Sequence, residues 1–258
     1  MTVSRLQKAI NNPRDAVEYL NRQLFKVVGH RAYKKFIVLG RIRTGSSLLI
    51  SYLNSHPNIY ALGEIFQTLN GRDYQAILDK MFSRQPYKIK AAGFKIFYRQ
   101  PWDDDQKAIW TDLISDTDIY ILHLKRKNIL RNLVSQRIAK KTGIWETFDD
   151  RRFKGVSKRQ VKFTFEELIA GFETIRNLEN EFDEKFSDHP KIVLYYEDLV
   201  KSPDEEFSSI TDFLDLDYFA PKTQYLKQNP ENLSQLIRNY DELKSRFSNT
   251  EWSGFFED

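Results

Sequence analysis

The class predicted by this sequence is α/β: a three-layer α/β/α fold around a central parallel sheet. Three observations point there. Apolar runs of strand length recur along the chain, helix-length stretches with near-3.6 spacing separate them, and the first run ends in a glycine-bearing turn that opens a helix. The elements follow in order. Ala16, Val17, Leu20, Leu24, Val27 and Val28 predict an amphipathic helix over residues 13–33, whose apolar face offers a homodimer surface. Residues 35–40 read as a buried strand ending in Gly40. Residues 46–55 are helical, with Leu48, Leu49, Tyr52 and Leu53 on one face, and Pro57 stops them. A short strand is expected over 59–62, a helix over 73–83 and a strand over 92–98. Residues 104–115 then read as a helix capped by the acids before it. A strand over 119–124 leads into a basic helix over 128–141. Residues 143–163 lack a clean period and form a variable basic loop. A long helix over 165–186, a strand over 191–196, a helix over 203–214 and a partly helical tail from Glu231 complete the order. No internal repeat or domain boundary interrupts the chain. The expectation is one domain over 1–258 with an N-terminal helical extension over 1–34.

Composition narrows the function. The 258 residues carry 40 Lys and Arg against 36 Asp and Glu, so the formal charge is 40 − 36 = +4. A balance this small, with both signs mixed along the chain and no RNA- or DNA-binding motif, is a weak footprint for a nucleic-acid partner. The absence of cysteine removes disulfides, thiolate metal sites and a cysteine nucleophile, and is compatible with a reducing, cytoplasmic setting. No apolar stretch approaches the roughly 18 residues of a membrane-spanning helix, and the N-terminus has no signal-peptide pattern.

In a parallel α/β sheet, ligands bind outside the carboxyl ends of the strands. The residues to inspect are therefore 41–47, Gly63 and Glu64, Arg99, Lys125 and Arg126, and Glu197 and Asp198. The segment Gly40-Arg41-Ile42-Arg43-Thr44-Gly45-Ser46-Ser47 joins a strand to a helix, where backbone N–H groups and a helix N-terminus cradle phosphate. It resembles the ATPase loop G-x-x-x-x-G-K-[ST], but Ser46 stands where the lysine belongs. Arg43, inside the loop, supplies a cation instead. A phosphoryl-transfer enzyme, such as a small-molecule kinase, stays open as an alternative, with Glu197 or Asp198 as its magnesium holder.

The motifs resemble those of the sulfotransferases that use 3′-phosphoadenosine 5′-phosphosulfate (PAPS). The run Arg43-Thr44-Gly45-Ser46-Ser47-Leu48-Leu49 has the form of their phosphosulfate loop. Asn54-Ser55-His56-Pro57 followed by Gly63-Glu64 is similar to the bacterial carbohydrate enzymes and the tyrosylprotein enzymes. The block 124–135 resembles the 3′-phosphate site, and Tyr196-Glu197-Asp198-Leu199 the segment after the last strand. Residues 237–243 with Thr250-Glu251-Trp252 resemble the ends of bacterial members. Two features depart from the cytosolic branch: Arg43 stands in place of a lysine, and the spacing from Arg126 to Ser135 is one residue longer.

The resemblance implies PAPS as co-substrate, no metal, and transfer of a sulfuryl group to a hydroxyl of a carbohydrate or glycolipid, or in a second reading to a peptide tyrosine. It implies that Arg43, Thr44, Gly45, Ser46 and Ser47 hold the 5′-phosphosulfate, and that Arg126, Arg131 and Ser135 hold the 3′-phosphate. Arg238 would close over the nucleotide from the tail, and Glu64 would be the general base. Arg131 and Ser135, four apart, share a helix face. Lys95, unusual within a buried strand, either reaches the sulfuryl group or acceptor or makes an inter-strand ion pair. The four histidines are weaker candidates for the base. His56 reads as a helix cap, His123 as a sheet residue, and His30 and His189 as solvated. The cations and aromatics of 143–163 fit either an acceptor lid or a solvated excursion.

Overall fold

The computed structural model describes residues 29–145, 156–225 and 229–257. Five strands form one sheet: β1 (Lys34–Gly40), β2 (Ile59–Leu62), β3 (Ala91–Phe97), β4 (Ile119–Lys125) and β5 (Lys191–Tyr195). All pair in parallel, in the order β2-β3-β1-β4-β5. Helices α1 (Ser46–Ser55), α2 (Tyr74–Met81), α3 (Ala108–Ser115) and α4 (Ile129–Thr142) alternate with the first four strands. Beyond them come α5 (Val156–Arg159), α6 (Phe165–Lys185), α7 (Tyr196–Lys201), α8 (Pro203–Phe213), α9 (Leu233–Leu236) and α10 (Tyr240–Phe247), then a 3-10 turn (Ser253–Phe256).

Strand side chains alternate between faces, and each face has its own core. Ile37, Leu39, Phe94, Ile96 and Ile121 pack with Met81, Trp110, Phe182 and Phe186 on one side. Phe36, Val38, Leu122, Leu124 and Leu194 pack with Leu49, Leu53, Leu199 and Phe207 on the other. Helices therefore cover both faces, and the strands are mostly apolar, as a doubly covered parallel sheet requires, with Lys95, His123 and Lys125 as buried exceptions. A third apolar cluster holds the tail. Leu236, Ile237, Tyr240, Leu243, Phe247 and Trp252 bury against Leu130, Val134 and Phe172 of α4 and α6. Arg176 stacks 3.7 Å from the Trp252 ring centre and bonds Glu251 at 2.8 Å. The tail motif is thus a clamp on α6.

The connection from β1 runs toward β3, while that from β4 runs toward β5. Neighbouring strands β1 and β4 therefore bound the switch point at which such sheets open a crevice.

The structure corrects several expectations. The helix expected over 13–33 falls mostly outside the described residues, and its end is not helical: His30 forms an antiparallel bridge with Gln85, and the Tyr33 hydroxyl donates to Ser83 O. Helix α3 begins at Ala108, after Lys107 in a left-handed conformation, with no side-chain cap. The acids expected to cap it are used elsewhere. Asp103 accepts from the N–H groups of Leu69 and Asn70, and Asp104 from that of Gln106. His189 is buried, with its ring nitrogens each 3.0 Å from the carbonyl oxygens of Ile119 and Ile114. His30 is half-buried rather than solvated, its Nε2 near Pro86 O and Ile89 O. Residues 146–155 of the expected 143–163 loop lie outside the described residues. The remainder includes α5, the buried Arg159 and a parallel bridge from Val161 to Ile237.

A charged seam lies beneath α6. His123 Nε2 is 2.7 Å from the Tyr98 hydroxyl, and Nδ1 is 2.8 Å from Asp183. Lys125 also bonds Asp183. Burial, aided by Lys125, pushes His123 down to about 4, so the neutral ring donates from Nδ1 and accepts at Nε2. Burial pushes the Glu179 carboxyl up to about 7, against Lys125 and Arg41.

The two groups give opposed pH slopes. His123 has its ordinary value at 6.5, so its contribution is complete above that pH and is lost as pH falls toward about 4. Glu179 has its ordinary value at 4.5, so its contribution is complete below that pH and is lost as pH rises through about 7. Melting temperatures measured from pH 4 to 8 check this. The difference between Glu179→Gln and wild type should grow by several degrees toward alkaline pH, at roughly 2–4 °C per kcal/mol. The difference for His123→Gln should fall as pH rises over the window between its two values. Parallel curves for all three proteins would contradict the assignment.

Candidate active site

A cavity of about 780 Å³ opens at the carboxyl ends of the strands. Its floor is the turn after β1. Arg43 and Gly45 both have positive φ, 66° and 86°, a concentration of unusual backbone that marks functional turns. Three successive carbonyls of this turn are taken by donors. Arg41 O accepts from the Thr44 hydroxyl at 2.7 Å, Ile42 O from Asn132 Nδ2 at 3.0 Å, and Arg43 O from Arg126 Nη1 at 3.2 Å. The Arg41 guanidinium braces the turn from behind by donating to Asn132 Oδ1 and Gln136 Oε1. With these carbonyls engaged, the positive end of α1 follows at Gly45, an N-cap that makes no side-chain bond. Gly45, Ser46, Ser47 and Leu48 line the cavity there.

Of the loop residues expected in the site, Thr44 is the exception. It is 2% exposed and its hydroxyl is spent within the turn, so its side chain is a brace and does not line the cavity. Gly45 is required twice over. Its φ suits glycine, and a Cβ there would lie 2.2 Å from the Tyr196 ring.

On the β4 side the lining is basic. Arg43 Nε donates to Ser135 Oγ at 3.0 Å and its Nη1 to Trp145 O. Arg126 stacks 4.7 Å from the Tyr196 ring centre and reaches Glu197 at 3.4 Å. Burial lowers the Arg126 pKa, opposed chiefly by Glu197. Arg131 donates to Glu231 O at 3.2 Å, while Asn229 Nδ2 donates to Ser135 Oγ at 3.4 Å. Arg159, buried, pairs with the Glu231 carboxylate and so fixes the segment that walls this side.

On the β3 side stands a carboxylate with a buried ammonium. Lys95 is 6% exposed; its Nζ lies 3.2 Å from Glu64 Oε1 and donates to Ser47 Oγ at 3.0 Å. Of the two sequence readings of Lys95, the ion pair is present, made with Glu64 just beyond β2, and the same ammonium also contacts the loop hydroxyl of Ser47. Gln100, fully buried, donates to Glu64 Oε2 at 2.8 Å.

The structure therefore brings Arg43, Gly45, Ser46, Ser47, Glu64, Lys95, Arg126, Arg131 and Ser135 to one cavity. It does not bring Arg238, which is exposed, is not among the lining residues, and has its backbone N–H bonded to Val161 O. Glu197 and Asp198 are both engaged: Glu197 by the Arg126 guanidinium and the backbone N–H of Lys127, Asp198 by Lys127 Nζ at 2.6 Å. Among the described residues no group of three His, Asp or Glu side chains is placed to hold a metal ion. The site residues that motif reading passed over are Gln100, Gln67, Trp102, Tyr196 and Asn229. Of these only Tyr196 lay in a recognised block.

No family model matches the chain. In sequence it is similar to Nodulation protein H of Rhizobium tropici, 26% identical over 240 residues, covering 86% of this chain and 92% of that protein. Nodulation protein H of Rhizobium meliloti strain 1021 is 25% identical over 241 residues, covering 86% and 94%. In structure it matches a crystal structure of a sulfotransferase from Alicyclobacillus acidocaldarius with a TM-score of 0.51 and 16% identity, over 83% of this chain and 90% of that one. The sequence likeness agrees with the family resemblance carried by the motifs, and the structural match bears out the α/β fold.

Gly45→Ala should lower the melting temperature, because both the backbone conformation and the Tyr196 ring oppose a Cβ. The expected loss is about 1–3 kcal/mol, or roughly 2–10 °C. The double variant with Tyr196→Ala should recover part of the Gly45→Ala loss relative to Tyr196→Ala alone. Strict additivity of the two changes would show that the ring contact does not matter.

Proposed function

We propose that this chain, a relative of the PAPS-dependent sulfotransferases, moves the sulfuryl group of PAPS to a hydroxyl of a carbohydrate or glycolipid acceptor. One observation carries the reading: the Lys95 ammonium touches both the loop hydroxyl of Ser47 and the Glu64 carboxylate. The turn, an ammonium and a carboxylate thereby meet near the carboxyl ends of three adjacent strands, β2, β3 and β1, which supports this reading.

In the proposed reaction the acceptor oxygen attacks sulfur and forms the new O–S bond. The bond from sulfur to the 5′-phosphate oxygen breaks, and 3′-phosphoadenosine 5′-phosphate leaves with the electron pair. Glu64 takes the hydroxyl proton. Lys95 and the loop N–H groups of 45–47 balance the negative charge that grows on the phosphate oxygen, and Arg43 adds a guanidinium. Arg126, Arg131 and Ser135 form the 3′-phosphate side, where bidentate cations suit a dianion. No covalent intermediate is needed, so positioning and charge stabilisation supply the rate.

The kinase alternative is weaker on this geometry. Its magnesium holder would have to be Glu197 or Asp198, and both carboxylates are already bound by Arg126 or Lys127. Among the described residues no helix is long and apolar enough to cross a membrane.

The test is a thermal melt with 3′-phosphoadenosine 5′-phosphate, set beside ATP with and without magnesium. At about 100 times its dissociation constant a ligand adds about 2.7 kcal/mol, which for a chain of this size is a rise of roughly 5–10 °C. The rise is expected with the 3′-phosphorylated nucleotide and without dependence on magnesium. A rise with ATP and magnesium alone would overturn the reading. In turnover with PAPS, Glu64→Gln should lower kcat by about 10²–10⁴ and leave the melt shift intact. Arg43→Ala should reduce both shift and rate.

A further inference from the structure

We propose that Trp102 is the platform on which a sugar ring of the acceptor stacks while its hydroxyl faces Glu64; this rests on the sulfotransferase reading of the same cavity. Trp102 is 51% exposed, whereas Trp110 and Trp252 are each 7% exposed. Its exposure is not that of a loose surface residue, because it lines the cavity beside Glu64, Gln67, Lys95 and Phe97. The segment that carries it is pinned by one backbone bond and by the side chain of the next residue. The Trp102 N–H donates to Gln67 O at 3.0 Å, and the next residue, Asp103, accepts from Leu69 N and Asn70 N, both at 2.6 Å. Two residues earlier, Gln100 holds Glu64 at 2.8 Å and is itself held by Trp110 Nε1, which donates to Gln100 O at 2.7 Å. One short segment thus ties Glu64 and the backbone that carries the indole to each other.

The chemistry of that pairing selects a ligand class. A half-exposed indole offers one apolar face with negative charge density at its centre. A pyranose ring has an apolar C–H face whose hydrogens are slightly positive, and a rim of hydroxyls that stays hydrated. It gains by covering one face while its rim remains in water. An aryl acceptor is apolar on both faces and gains most from enclosure on both, which a half-exposed shelf does not give. Gln67, lining the same side, supplies an amide with donors and an acceptor of the kind that sugar hydroxyls use.

The experiment measures sulfate transfer from PAPS to a panel of methyl hexosides, methyl N-acetylhexosaminides, disaccharides and a tyrosine-containing peptide. It uses the wild type, Trp102→Ala and Trp102→Phe, and each protein is also melted with 3′-phosphoadenosine 5′-phosphate. Sugars should be accepted. Trp102→Ala should raise the sugar KM about tenfold, the size of one aromatic contact, with kcat and the nucleotide melt shift nearly unchanged. Trp102→Phe should retain most of the affinity. An unchanged sugar KM in Trp102→Ala would overturn the platform, as would transfer to the peptide in preference to every sugar, or to no sugar at all. In each of those cases a preserved nucleotide shift leaves the sulfotransferase reading standing. Loss of the wild-type shift removes that reading and the platform with it.

Discussion

An ammonium group inside a parallel strand has to be met by oxygens, because an unanswered buried charge costs several kcal/mol. Lys95 sits opposite Val38 toward the carboxyl end of the register between β1 and β3, with apolar residues on either side of it in β3. The oxygens that answer it come from elsewhere: the Ser47 hydroxyl at the start of α1 and the Glu64 carboxylate after β2. Neither the helix start nor the strand end can shift without exposing that charge to apolar surroundings. The geometry of the site is therefore fixed by the requirement to satisfy one buried cation. Gln100 extends the constraint by holding the second carboxylate oxygen of Glu64.

The turn after β1 solves a related problem. A phosphate loop normally brings its own lysine, and here the position holds Ser46. The positive character comes instead from how the turn is tied. Donors from Thr44, Asn132 and Arg126 occupy the carbonyls of Arg41, Ile42 and Arg43, and an uncapped helix end follows them. Arg41 takes part from the core side. Burial lowers it to about 10, which keeps it cationic at neutral pH while it braces Asn132 and Gln136. Asp183 on α6 supplies the opposite charge of this seam, with the partly neutralised Glu179 one turn before it. The floor of the cavity and the packing of the longest described helix are thus parts of one charge network.

What was legible in the sequence follows from range. Strand-length apolar runs, the helix faces and the glycine turn are local signals, and they recovered the strands to within about a residue. The segment from Gly40 to Ser47 showed its chemistry because its glycines and hydroxyls act through their own backbone. Lys95 stood out because lysine is rare in buried strands, although no local signal named its two partners. Gln100 and Trp102 were invisible for the same reason: their roles depend on the segment after β3 folding back against the one after β2. The caps expected from Asp103 and Asp104 failed because the first of these carboxylates found backbone N–H groups more than thirty residues away. His189 misled because two carbonyls of a neighbouring segment bury it. Arg238 belongs to a motif whose apolar members matter here: Leu236 and Ile237 enter the core, and the arginine between strand-like bridge and helix stays outside.

The distribution of charge about β1 gives the cavity a direction. Arg43, Arg126 and Arg131 gather toward β4, and on the proposed reading their guanidinium groups suit the multiply charged nucleotide. Glu64 stands on the other side, kept from those cations by the loop and paired with Lys95. A carboxylate placed among the arginines would be locked in ion pairs, as Glu197 is with Arg126, and would be a poor proton acceptor. Separated by the turn, it has one ammonium neighbour that also contacts the loop. On the proposed reading, the turn keeps the two roles apart, with the nucleotide anion on the basic side and Glu64 facing the acceptor on the other.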